Sequence, residues 1–96
     1  MYKMIVIDDE YLVRLGIRET IDWKVHQIEI VGEADNGLEG LRLIETLKPD
    51  IVLTDIKMPV MDGIELIKRI KDYDCIPVIL SGYKDFDYAK ETLENG

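Results

Sequence analysis

The chain has 96 residues, 47% of them hydrophobic and 33% charged, which suits one packed domain with a single core and argues against disorder. Its 20 acidic side chains against 12 Lys and Arg give a net charge of -8, so there is no cationic surplus to neutralise nucleic-acid phosphates or hold an anionic membrane. The single cysteine, Cys75, excludes an internal disulfide, no Cys/His cluster has zinc spacing, and no apolar run reaches the length of a membrane span or signal core, so a reducing cytoplasm is the expected compartment.

Short apolar runs alternate with segments whose apolar residues recur at helical spacing. Met4-Ile5-Val6-Ile7 predicts a buried strand running into Asp8-Asp9-Glu10. A helix is expected from Tyr11 to about Asp22, with Val13, Ile17 and Ile21 on one face. The run from Ile28 to Ala34 carries charges, as a strand near a sheet edge does, and Asn36-Gly37 turns out of it. Leu38, Leu41, Ile44 and Leu47 stripe a second helix that ends before Pro49. Ile51-Val52-Leu53-Thr54 is a third strand, bounded by Asp50 and Asp55. After the Met58-Pro59 turn, Asp62 is expected to cap a third helix with Glu65 reaching back, and Ile64, Ile67 and Ile70 face inward. Pro77-Val78-Ile79-Leu80 forms a fourth strand, broken by Ser81-Gly82. Asp85 then caps a fourth helix carrying Phe86, Ala89 and Leu93.

Strands joined by helices of this length imply parallel pairing, right-handed crossovers and an open α/β sheet with helices on both faces. Ligands of such sheets bind beyond the carboxyl ends of the strands. Those ends carry Asp8, Asp9 and Glu10 after strand one, Asp55 after strand three and Ser81 after strand four. Aspartates there also serve as turn residues or helix caps, a bland role open to each of them. Converging carboxylates repel one another unless a proton or cation intervenes, and Mg2+, a hard cation that shares its shell with phosphate oxygens, is the natural partner. An ionised aspartate beside it can attack phosphorus to give an aspartyl phosphate.

The segments Ile7-Asp8-Asp9-Glu10, Leu53-Thr54-Asp55-Ile56-Lys57-Met58-Pro59-Val60-Met61-Asp62-Gly63 and Leu80-Ser81-Gly82-Tyr83 occur in order at these element ends. The chain resembles a response-regulator receiver domain along its whole length, and residues 80–90 resemble receivers fused to AraC-type DNA-binding domains. The resemblance implies a flavodoxin-like sheet of strand order 2-1-3-4-5. It implies Asp55 as the acceptor of a phosphoryl group from a sensor histidine kinase. It further implies Mg2+ held by Asp8, Asp9, Asp55 and the backbone carbonyl of Lys57, with Ser81 bonding a phosphoryl oxygen and Gly82 leaving room for it. DNA would be bound only through a separate C-terminal domain, and the receiver would be no turnover enzyme beyond its own phosphorylation and dephosphorylation.

Residues 1–96 are therefore expected to be a receiver cut short. The family's fifth strand, the lysine that closes it, its aromatic switch residue and the fifth helix have no counterpart in these residues. Such a sheet would expose an edge at Val78-Ile79-Leu80 and favour a homodimer or a domain swap. The alternative to phosphoacceptance is thus an interaction module impaired in phosphorylation. A phosphohydrolase of the haloacid dehalogenase type is disfavoured because strand one ends in Asp8-Asp9-Glu10 rather than Asp-x-Asp.

Overall fold

A computed structural model describes residues 1–80. Its elements are β1 (Tyr2–Ile7), α1 (Tyr11–Thr20), a short 3-10 helix (Trp23–His26), β2 (Ile28–Ala34), α2 (Gly37–Leu47), β3 (Ile51–Thr54), α3 (Gly63–Arg69) and β4 (Ile76–Ile79). The strands form one parallel sheet in the order β2-β1-β3-β4, so the expected α/β arrangement holds over the described residues. The expected fourth helix and its Asp85 cap lie outside them, as do Ser81 and Gly82.

The periodicity of each segment becomes the packing of one face. Ile5 and Ile7 of β1 and Val52 of β3 point to one side of the sheet, where they meet Ile44 of α2 with Leu66 and Ile70 at α3. Met4 and Val6 point to the other side and are also buried. There α1 is tied to β2 through Arg14 and Glu33. Helices therefore lie on both faces, α2 and α3 on one and α1 on the other.

Several boundaries differ from the sequence reading. The first helix stops at Thr20, and Ile21 is exposed rather than in line with Val13 and Ile17. The chain then tightens into the 3-10 turn, where the Trp23 indole Nε1–H donates to the Ile17 carbonyl at 2.9 Å and takes up a helix-end acceptor. Asn36 is not a simple turn residue: its side chain accepts from the Glu39 amide and caps α2. Asp62 caps α3 as expected, accepting from the Glu65 amide at 2.8 Å, but the Glu65 carboxylate turns to Arg69 one helical turn on, at 3.0 Å. Leu66, omitted from the expected inward face, is completely buried. β2 carries an irregularity, since Met4 pairs with Ile30 but Ile5 with Gly32, which sets Glu33 opposite Val6 and Ala34 opposite Ile7.

The two aspartates that bracket β3 have different duties. Asp50, at its amino end, exchanges bonds with Lys3: its carboxylate accepts from the Lys3 amide and its own amide donates to the Lys3 carbonyl, both at 2.8 Å. That pairing fixes the start of β3 against β1. Asp55, at the carboxyl end, has a different setting.

Candidate functional site

Parallel register brings the ends of β1 and β3 side by side. Ile7 pairs with Thr54, and the Asp55 amide donates to the Ile7 carbonyl at 2.9 Å, one rung beyond the strand. On the other side the Asp8 amide donates to Ala34 at 3.0 Å. The ladders thus carry Asp8 and Asp55 past the sheet as neighbours. Carboxylate oxygens of Asp8, Asp9 and Asp55 lie within 4.8 Å of one another.

The three differ in environment. Asp8 is buried, at 4% exposure, while Asp9 is exposed and Asp55 half-buried. Burial pushes the Asp8 carboxyl above its ordinary range, opposed by the Glu10 amide, which donates to Asp8 Oδ1 at 2.8 Å, and reinforced by the neighbouring charge of Asp9. Asp55 Oδ1 accepts from the amide of Ile56 at 2.8 Å, which orients its carboxylate relative to the backbone. The completely buried Thr54 donates its hydroxyl to the Asp55 carbonyl at 2.9 Å.

The loop after Asp55 is clamped by two helix starts. The Gly63 amide donates to the Ile56 carbonyl at 2.7 Å, and the Gly37 amide to the Met61 carbonyl at 2.9 Å. Neither position tolerates a side chain: a Cβ on Gly63 would lie 2.1 Å from the Asp55 carbonyl oxygen, and one on Gly37 2.2 Å from that of Met61. Met61 is buried and Met58 packs against the core, so the Met58-Pro59 segment fixes this loop. Lys57 is exposed in the loop, two residues beyond Asp55.

The sequence-predicted residues therefore divide. Asp8, Asp9 and Asp55 are brought together, Lys57 stands in the adjoining loop, and Ser81 lies outside the described residues. The ladder reaches Leu80, whose amide donates to the Thr54 carbonyl at 2.8 Å. The sequence reading missed Arg14, which reaches the Asp8 carbonyl.

The donor set fits a hard divalent cation. All three groups are carboxylates, one of them buried beside another, and a cation relieves the repulsion and the burial together.

The response regulator receiver domain family matches residues 4–96 of the chain. The chain belongs to that family. A response regulatory protein of Staphylococcus epidermidis is 40% identical over 95 residues, covering 99% of this chain and 38% of its own length. The transcriptional regulatory protein HptR of Staphylococcus aureus is 37% identical over the same share of each chain. Among solved structures, the REC domain of AraT, a response regulator from Geobacillus stearothermophilus, superposes with a TM-score of 0.89 at 37% identity, covering 99% of this chain and 75% of that one. A two-component transcriptional regulator AraC from Clostridium phytofermentans gives 0.86 at 36% identity, covering 95% and 72%. This receiver thus spans little more than a third of the Staphylococcus relatives it matches. No helix among the described residues is long and apolar enough to cross a membrane.

Proposed function

We propose that the receiver is a phosphoacceptor, modified on Asp55 with Mg2+ bound beside it. The observation that carries this reading is the convergence of Asp8, Asp9 and Asp55 within 4.8 Å at the carboxyl ends of adjacent parallel strands. Those three carboxylates and the Lys57 carbonyl would hold Mg2+, which neutralises charge on the phosphoryl oxygens. An Asp55 carboxylate oxygen forms the new bond to phosphorus as the bond to a kinase phosphohistidine nitrogen breaks, the electron pair leaving with the imidazole. The Ile56 amide on Asp55 Oδ1 and the Thr54 hydroxyl on the Asp55 carbonyl hold the nucleophile for in-line approach. Ser81 follows directly on Leu80, which the ladder fixes to Thr54, and is assigned to a phosphoryl oxygen.

In this reading the receiver is cytoplasmic and its partner is a sensor histidine kinase. DNA contact belongs to another domain of a longer transcriptional regulator, in keeping with the names and lengths of the Staphylococcus relatives. The receiver acts once per phosphorylation and is not a turnover enzyme.

Intact mass after incubation with Mg2+ and acetyl phosphate tests the proposal. A phosphate-sized gain, absent from Asp55→Asn and absent when the metal is chelated, is the expected result. No gain in the wild-type chain, with Mg2+ bound, overturns it.

A second reading, an interaction module that associates without productive phosphorylation, is favoured by β4. That end strand of the described sheet exposes Ile76 at 65% and Val78 at 44%. Sedimentation of the chain beside Val78→Lys decides it: association abolished by the lysine supports this reading, and a monomer at all concentrations removes it.

A further inference from the structure

The carbonyl of Asp8 has left the sheet: the amide of the same residue makes the last bond to β2, and the following residues turn into α1. Arg14, one turn into that helix, donates to this carbonyl through Nη1. Its Nε faces Glu33 Oε1 of β2 at 3.3 Å, and its guanidinium lies 5.7 Å from the Tyr11 ring centroid. The side chain is only 15% exposed and that of Glu33 22%, and Glu33 is held from its other oxygen by Arg18. One planar fork therefore joins the end of β1, the start of α1 and the edge strand β2.

We infer that Arg14 is a positioning residue for the acidic cluster, fixing the Asp8 backbone so that Asp8 and Asp9 meet Asp55. This rests on the reading of that cluster as a cation site. Asp8 and Asp9 follow directly on Ile7, and their backbone is the joint about which the carboxylates could swing. The Glu10 amide holds the Asp8 side chain, and Arg14 holds its main chain. A lysine could supply the charge but not two divergent N–H groups in one plane.

The two roles open to Arg14 predict opposite signs. As a nearby cation it repels a divalent metal, so removing its charge should tighten Mg2+ binding by electrostatics alone. As a positioning group it holds the ligands together, so removing it should weaken binding, by about tenfold or more, as losing an outer-sphere partner does.

The test is calorimetric titration of Mg2+ into the full chain, wild type beside Arg14→Met and Arg14→Lys, with the Asp9 and Glu10 amide NMR shifts as an independent reading. Circular dichroism and urea unfolding establish that each variant is folded. Weaker binding in Arg14→Met, with Arg14→Lys between it and wild type, is expected. Unchanged or tighter binding in folded Arg14→Met overturns the positioning role while leaving the cation site intact. If Arg14→Met does not fold, Arg14→Lys decides alone: weaker binding supports the role, and wild-type affinity overturns it. A wild-type chain that binds no Mg2+ overturns the cation site and the positioning role together.

Discussion

The Cα of Gly63 approaches the Asp55 carbonyl so closely that a Cβ placed there would stand 2.1 Å from its oxygen. The start of α3 and the proposed phosphoacceptor are thus packed as one unit. Gly63→Ala must displace backbone, not a yielding side-chain tip, and is expected to cost about 1–3 kcal/mol, as overpacking does. Urea unfolding measures the loss, and the same variant should accept phosphoryl more slowly because Asp55 moves. A variant as stable and as reactive as wild type would remove the clamp.

Asp8 yields a prediction about pH. Burial raises its folded-state pKa above the ordinary value of 3.8, with Asp9 adding to the effect. Between those two values the folded chain binds more protons than the unfolded one, so this group's contribution to stability falls as pH rises through that window. Asp8→Asn keeps an oxygen for the Glu10 amide and removes the charge. Without Mg2+ at neutral pH it should therefore raise stability by about 0.5–2 kcal/mol, a common exchange of function for stability, while weakening Mg2+ binding. Thermal melts with and without the metal check both halves.

Val60 carries a φ of 70°, in the left-handed region, and its side chain is 79% exposed. A β-branched residue there is strained and has little packing to offset it. Val60→Gly should stabilise the chain by about 1 kcal/mol, less whatever the unfolded glycine gains in entropy. Unfolding midpoints compared at fixed m-value would show it, and a loss of stability would mean that valine's contacts outweigh the strain.

The caps offer a comparison within one molecule. Asn36 and Asp62 make the same bond at the starts of α2 and α3, to Glu39 and Glu65. Alanine at either should cost about 1 kcal/mol. Asp62→Ala should slow phosphorylation more than Asn36→Ala, because Asp62 ends the loop that begins at Asp55 while Asn36 reaches that loop only through the neighbouring Gly37–Met61 bond. Equal effects on rate would separate that loop from the chemistry.

Over the described residues the sequence alone determined the order and type of the strands and α-helices, though not the 3-10 turn, because burial on one face leaves a period that can be counted: Ile5 and Ile7 in β1, Leu38 to Leu47 in α2. It also placed Asp8, Asp9 and Asp55 at strand ends, where an apolar run meets its first charge, and the motif resemblance supplied the roles proposed for them. Tertiary structure decided which aspartates lie together. Asp50 and Asp55 flank the same strand, yet only parallel register sets Asp55 beside Asp8, while Asp50 pairs with Lys3. Register likewise separated buried Asp8 from exposed Asp9 and brought Arg14 to a carbonyl and to Glu33, residues six and nineteen positions away. Such pairings leave no local period, since each depends on where strands far apart in the chain come to lie side by side.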